Sequence, residues 1–454
     1  MLLALLLLAT AADWVPVRWP GSDPKSLELI KGTAVNCLLL EQKHWSPEFS
    51  TLAAAMGVTT LGVLRPGDPL ERLAERLTQA KLQGAVLEGD FADAAVAPVR
   101  ASLDDSRLAL VELTARVKMR LDGGAPITGT FQGVWPGINL AEDGSAKAAP
   151  SGAPWIDTNS GFLRFARSLT SAGIWIAYYP PAKGVTTLAR YQQAVGDAAM
   201  AGARWVVSFD ADLAGRLMAG DAKARVDWSR LTATIGFFEQ HRDWTRMDSL
   251  GKLAVVQDID SGGLISGGVL DMIAVKHTPA RLVPGRRLSP ASIEGATMAV
   301  NVDPAALDEE KKETLKKFTR GGGTLLTAPP GRKLPKQRAD QITLDKDDVA
   351  ILDEIWKEVN SMTDRHNLGV RLFNVASMLS SLVGPAGGRP AVLFLVNYSD
   401  YPVENVTAHL LGNDAKATLY EPAGAPKSIP VYKSEDGTGV DVAKVGQVAA
   451  LVLE

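Results

Sequence analysis

Short apolar runs alternate along the first half of the chain with longer stretches whose apolar positions return at helical spacing. The strand-like runs are WVPVRW (14–19), AVNCLLLE (34–41), TTLGVL (59–64), GAVLEG (84–89), RLALVEL (107–113), TFQGVW (130–135), IWIAYY (174–179) and RWVVSF (204–209). Helical patterns at 46–56, 69–81, 92–102, 161–172 and 187–201 fall between most of them, and another at 226–241 follows the last. Near-continuous apolar strands separated by helices predict a parallel sheet buried on both faces. Eight of them predict a (β/α)8 TIM-like barrel, with an open doubly wound sheet as the alternative.

A second α/β pattern starts at KLAVVQDID (252–260), passes through a helical run to ATMAVNV (296–302), and ends in a charged helix and the strand TLLTAP (324–329). Asp303, Pro304 and Asp308 to Glu310 suit the positive start of that helix, while Lys316, Lys317 and Arg320 suit its negative end. Gly321 to Gly323 follow a helix, where a phosphate cradle would precede one, so they read as a C-terminal stop. Residues 330–346 read as a linker and 347–361 as a helix. The runs RPAVLFLVNYS, NVTAHLLG, KATLYEP and VAALVLE predict a small antiparallel β-sandwich. The expected organisation is 1–11 signal peptide, 12–249 barrel, 250–345 flavodoxin-like α/β domain, 346–369 linker helix and 370–454 C-terminal sandwich.

This order, and most specifically AALDEEKKETLKKFTRGGGTLLTAPPG, resembles the beta-galactosidases of glycoside hydrolase family 42. The family's middle domain is similar to a class I glutamine amidotransferase and helps the enzyme trimerise. The resemblance therefore implies a homo-oligomer formed through the middle region. That region carries no cysteine on a strand-to-helix elbow, which excludes thiol-based glutamine hydrolysis there.

At 454 residues the chain is long enough for two or three domains, and its 46% hydrophobic and 22% charged residues are those of a globular protein. A net charge of −3 without a basic stripe argues against nucleic acid or an anionic membrane surface as partner. The start MLLALLLLATAADW has a short apolar run and an Ala9-Thr10-Ala11 cleavage pattern, so export to the periplasm or exterior is expected, without a membrane span. Cys37, the sole cysteine, lies mid-strand and reads as a small hydrophobe. The five histidines are scattered and no phosphate-loop motif occurs, so neither a metal nor a cofactor is expected.

Barrel sites lie at the C-terminal strand ends. There the sequence puts Glu41, Arg65, Glu88 with Asp90, Glu112, Gln132 with Trp135, Tyr178 with Tyr179, and Asp210 with Asp212. Acids and aromatics converging on one rim suit a carbohydrate, because glycoside hydrolysis needs two carboxyls and sugar C–H faces rest on aromatic rings. If WVPVRW is strand 1, Glu88 takes the place of the family's general acid. If AVNCLLLE is strand 1, Glu112 does, and 252–258 must serve as strand 8. The first count is preferred because it leaves KLAVVQ to begin the second domain. Strand 7 then ends in Tyr178 and Tyr179 where the family places a glutamate, so Asp210 or Asp157 would have to supply the second carboxylate.

The barrel rhythm is interrupted at 132–162, QGVWPGINLAEDGSAKAAPSGAPWIDTNSGF. Long irregular loops are usually functional or disordered, and the two ends of this one offer Trp135, Asn139, Trp155 and Asn159 as sugar-binding side chains. The plainer alternatives are that Asp210 or Asp212 caps the next helix, that the tryptophans pack the loop, and that Tyr178 and Tyr179 pack a turn. The expectation is a glycoside-hydrolase-like protein that binds and cleaves an oligosaccharide; the alternative is a carbohydrate-binding or scaffolding relative without catalysis.

Overall fold

The computed structural model describes residues 11–122, 124–136, 138–140, 146–148, 158–181, 186–257, 278–328, 357–359, 361–362, 367–375, 378–385 and 387–454. Its first sheet consists of β1 (Pro16–Arg18), β2 (Cys37–Glu41), β3 (Thr59–Leu64), β4 (Gly84–Glu88), β5 (Ala109–Thr114) and β6 (Ile127–Thr130). A separate hairpin, β7 (Ile138–Leu140) and β8 (Ala146–Ala148), precedes the last two barrel strands, β9 (Gly173–Ala177) and β10 (Ala203–Val206). All neighbours in this sheet are parallel, and a Val17–Val207 bridge with the Arg18 N–H on the Val207 carbonyl (2.8 Å) joins β10 back to β1. Eight strands thus form a nearly closed barrel.

Helices α1 (Pro47–Ala55), α2 (Leu73–Gln79), α3 (Asp93–Asp105), α4 (Ser160–Leu169), α5 (Leu188–Ala199), α6 (Ala211–Met218) and α7 (Ala222–Gln240) surround it. Their starts follow local chemistry: the Ser46 hydroxyl accepts from the Phe49 N–H with Pro47 as first residue, and Asp221 caps α7 through the Ala224 N–H. Strand alternation splits the apolar residues into two sets. Trp14, Cys37, Leu39, Leu61, Val63, Val86, Val111, Leu113, Trp175, Ala177 and Val206 fill the barrel. Leu38, Leu40, Ala85, Leu87, Ile174 and Ile176 pack outward against the helices. Cys37 is fully buried inside, and burial pushes its thiol well above the ordinary range, as an inert hydrophobe requires.

Two elements differ from expectation. The sixth strand ends at Thr130, so 131–135 is loop. Gln132 leaves the ladder because its side chain and carbonyl both serve Arg116, at 2.7 and 2.8 Å. In the next region an unforeseen strand, Ala280–Pro284, joins the sheet where the sequence suggested only a helical run; residues 258–277 of that run lie outside the described residues.

Beyond the barrel, β11 (Asp248–Ser249) leads into β12 (Leu253–Gln257), β13 (Ala280–Pro284), β14 (Met298–Asn301), α8 (Glu309–Arg320) and β15 (Thr324–Thr327). Strands β12 to β15 form a parallel sheet of order β13-β12-β14-β15. Leu253–Gln257 therefore serves this sheet and not the barrel, and β1 is barrel strand 1. Asp308 caps α8 through the Lys311 N–H at 2.9 Å, and Gly322, at φ 94°, ends the turn that reverses the chain into β15.

The tail comprises β16 (Val370–Phe373), β17 (Met378–Gly384), β18 (Ala391–Asn397), β19 (Val403–Leu411), β20 (Ala417–Tyr420), β21 (Lys427–Ile429), β22 (Val431–Lys433), β23 (Gly437–Val445) and β24 (Val448–Leu453). They make two antiparallel sheets, β11-β17-β18-β24-β20-β21 and β16-β19-β23-β22, around a shared core. The larger sheet is buried on both faces: Leu393, Leu395 and Leu451 meet the smaller sheet, while Phe394, Val396 and Ala450 join the core that includes barrel helices α5 and α7. This explains its unbroken apolar runs. Residues 1–10 of the expected signal peptide, the expected linker 330–346 and most of the helix expected at 347–361 lie outside the described residues, apart from helical 357–359 and 361–362.

Candidate functional site

On each barrel strand the residue two positions after an inward-facing core residue also faces inward. Continuing the inward set past the last core position gives Glu41 after Cys37 and Leu39, Arg65 after Leu61 and Val63, Glu88 after Val86, and Tyr179 after Trp175 and Ala177. With Arg18 at the end of β1, these five side chains meet at the C-terminal mouth. Gly89, at φ 130°, turns the chain immediately after Glu88, and a Cβ there would come within 2.6 Å of Pro66.

Arg65 grips Glu41 with both terminal nitrogens, Nη1 to Oε2 at 2.6 Å and Nη2 to Oε1 at 2.7 Å. The same Nη2 lies 3.2 Å from Glu88 Oε2. Glu88 also forms an ion pair with Arg18. The Tyr179 hydroxyl lies 3.3 Å from Glu41 Oε1 and 3.2 Å from Glu88 Oε2 and accepts from Arg65. Its ring covers Arg18, whose guanidinium carbon is 4.4 Å from the ring centroid. The cluster runs from a buried floor to an open rim: Glu88 is 5% exposed, the Arg65 side chain 38% and Tyr179 42%.

Burial works to raise the Glu41 carboxyl, but hydrogen bonding and charge from Arg65, with help from Arg18 and Tyr179, hold it below its ordinary value. Arg65 is correspondingly held above its own. Burial, reinforced by Glu88 and Glu41, lifts the Tyr179 phenol well above the ordinary tyrosine range, so it stays protonated.

The other expected residues fall elsewhere. Asp210 caps α6 through the Leu213 N–H at 3.0 Å and accepts from Tyr191 at 2.9 Å. That is the capping role that FDADLAGRL also allowed. Glu112 alternates with inward-facing Val111 and Leu113, points outward, and is paired with Arg100 of α3 at 2.7 Å. Trp135 is buried edge-to-face between Tyr191 and Trp205, with both ring centroids at 5.2 Å, and donates to the Tyr179 carbonyl at 2.9 Å. Asn159 is fully buried: it accepts from the Val134 N–H and donates to the Val134 carbonyl, both at 2.8 Å, and to Asp197 at 2.9 Å. These two therefore position the rim loop, because their polar groups are already engaged. Tyr178 is half-buried against the helix-side core. Asp157 and Trp155 lie outside the described residues, as does the side chain of Asn139, whose backbone belongs to β7.

Asp197 anchors this loop from α5. It also takes the Asn159 N–H at 2.7 Å and the Tyr398 hydroxyl of β18's end at 2.8 Å, and burial raises its carboxyl above the ordinary value. The second carboxylate of the cluster, Glu41, stood among the strand ends but without a role, and Arg18 was not singled out. The signal for both was the inward register of each strand continued to its end. Among the described residues no group of three or more His, Cys, Asp or Glu is arranged to hold a metal, and no helix is long and apolar enough to cross a membrane.

The chain thus combines a nearly closed eight-stranded barrel, with two acids at its mouth, and further antiparallel β-sheets. Among solved structures the chain is similar to alpha-L-fucosidase isoenzyme 2 from Paenibacillus thiaminolyticus, with 11% identity over 98% of this chain and 100% of that one, at a TM-score of 0.62. A rhamnosidase from Novosphingobium sp. PP1Y matches 79% of this chain and 38% of its own at 12% identity and a TM-score of 0.46. The fucosidase likeness establishes a shared fold. No family model and no curated protein matches the chain.

Proposed function

We propose that the protein binds a carbohydrate at the barrel mouth and hydrolyses a glycosidic bond there with Glu41 and Glu88. One observation carries this reading. The two carboxylates share Arg65 Nη2 at 2.7 and 3.2 Å, so their nearest oxygens are at most about 6 Å apart, against ~5–5.5 Å in retaining glycosidases and ~6.5–9.5 Å in inverting ones. Glu41, held ionised by Arg65, attacks the anomeric carbon. Glu88 gives a proton to the leaving oxygen and later takes one from water, so the reaction retains configuration. For Glu88 to carry that proton, substrate entry must loosen its contacts with Arg18 and Arg65. Those contacts favour a second reading, a carbohydrate-binding relative whose acids are spent on ion pairs.

Aryl glycosides of both anomeric series, tested with wild type, Glu41→Gln and Glu88→Gln, separate the two. Hydrolysis that falls at least about 100-fold in each variant supports the enzyme. Turnover that is equal in all three proteins removes the pair from the mechanism, and sugar binding without turnover selects the second reading.

The wider reading includes a family-42-like assembly, with the parallel sheet at 250–345 as a flavodoxin-like domain through which copies associate, and export directed by residues 1–11. A multimer by light scattering and a mature N-terminus near Ala12 are its expected outcomes; a monomer or an uncleaved start removes the respective part.

A further inference from the structure

The two arginines at the mouth say something about the sugar, given the hydrolase reading on which this inference rests. Arg18 is 6% exposed, yet only its Nη2 has a partner; Nε and Nη1 are buried without a hydrogen-bond acceptor among the described residues. Buried donors left unpaired are costly, and in native proteins they commonly mark a ligand or water position. Arg65, on the open side of the same cluster, uses its terminal nitrogens on Glu41, Glu88 and Tyr179 and leaves a large part of its side chain open to solvent.

Charge balance points the same way. With both acids ionised, Arg18 and Arg65 against Glu41 and Glu88 sum to zero. Retaining hydrolysis needs one acid protonated and the other ionised, which leaves the cluster at +1 before reaction. Proton transfer from Glu88 to the leaving oxygen shifts that charge onto the oxocarbenium-like sugar without changing the total, so the same confined space stays at +1 through the transition state. A neutral sugar offers nothing to offset this. A carboxylate on the sugar does, and a planar guanidinium is the group that binds carboxylates through paired N–H donors.

We infer that the ligand is an acidic sugar, a uronic acid residue whose carboxylate binds at the Arg65 and Arg18 side of the mouth.

The test uses matched 4-nitrophenyl hexosides and hexuronides of both anomeric series, with calorimetric titration of oligogalacturonate and oligoalginate against neutral galacto- and cello-oligosaccharides. A charged hydrogen-bonded contact predicts a preference for the uronide of about 10- to 100-fold in kcat/KM or affinity, smaller at high salt. Arg65→Met, confirmed as folded by circular dichroism at the assay temperature, should abolish that preference, and Arg65→Lys should keep only part of it. Equal or better use of the neutral member overturns the inference and leaves the hydrolase reading intact. Uronate binding without turnover keeps the ligand class and overturns the hydrolase reading. A preference for a 6-sulfated galactoside over the galacturonide overturns the choice of carboxylate, and neither binding nor turnover with any probe overturns both.

Discussion

Replacing Asn159 by Ala tests how the interrupting loop is tied to the barrel mouth. The change removes four side-chain hydrogen bonds: two with the backbone of Val134, one accepted from Arg116 at 3.5 Å and one donated to Asp197. Val134 is half-buried, so water can take over part of those two, at a cost of about 0.5–1.5 kcal/mol each. Asp197 is fully buried and loses a donor to an acidic group, a cost of roughly 1.5–3 kcal/mol. The Val134 and Asp197 bonds together give an expected loss of about 2.5–6 kcal/mol, read as a lower midpoint in urea at unchanged slope. A second readout follows from the geometry: Val134 adjoins Trp135, which holds the Tyr179 carbonyl, so sugar affinity should fall as well. Asn159→Asp sharpens the test by placing a second acid against Asp197, whose carboxyl burial already raises. A group raised in the folded state contributes stability that is present below the unfolded carboxylate range and lost as pH rises through its folded value. Asn159→Asp should accordingly be closest to wild type in mild acid and weakest above neutrality. A loss of under about 1 kcal/mol for Asn159→Ala, or a pH-independent penalty for Asn159→Asp, would refute the reasoning.

Three further outcomes are expected. Arg18→Met leaves Glu88 buried without its main cation and should cost about 3–5 kcal/mol by chemical denaturation, most of it recovered in Arg18→Met/Glu88→Gln; no recovery in the double variant would contradict the ion-pair account. Tyr179→Phe removes only the hydroxyl, so unfolding should move by less than about 1 kcal/mol while affinity for the sugar falls about tenfold in calorimetry. Because Glu41 is held below its ordinary value, its stabilising pairing is present above the unfolded carboxylate range and lost as pH falls through its folded value. The stability gap between wild type and Glu41→Gln should thus shrink on acidification in denaturation curves taken across that range.

The barrel was legible because hydrophobic burial on both faces of a parallel sheet writes itself as unbroken apolar runs: Cys37–Glu41, Thr59–Leu64 and Gly84–Glu88 lie inside the expected segments. The same signal failed at TFQGVW, where Trp135 looks like a strand residue but packs a loop, and at Ala280–Pro284, whose short ARLVP run carries a weak pattern. Site residues were legible as a ring of strand ends but not as roles. Glu88, Asp210 and Glu112 are all acids at or near strand ends; what separates them is facing. Glu88 continues the inward register of Val86, Glu112 follows the outward one, and Asp210 lies far enough past Val206 to cap a helix. Asn159 was expected to be free for sugar because nothing in WIDTNSGF shows that Asp197, 38 positions on, will meet it.

Labelling tests the central claim most directly. The 2-deoxy-2-fluoro derivative of whichever aryl glycoside the protein cleaves should form a stable covalent adduct, and peptide mapping should locate it on Glu41, with no adduct in Glu41→Gln. An adduct on another residue, or no turnover and no adduct with any neutral or acidic glycoside, would contradict the account of Glu41 and Glu88 as a catalytic pair.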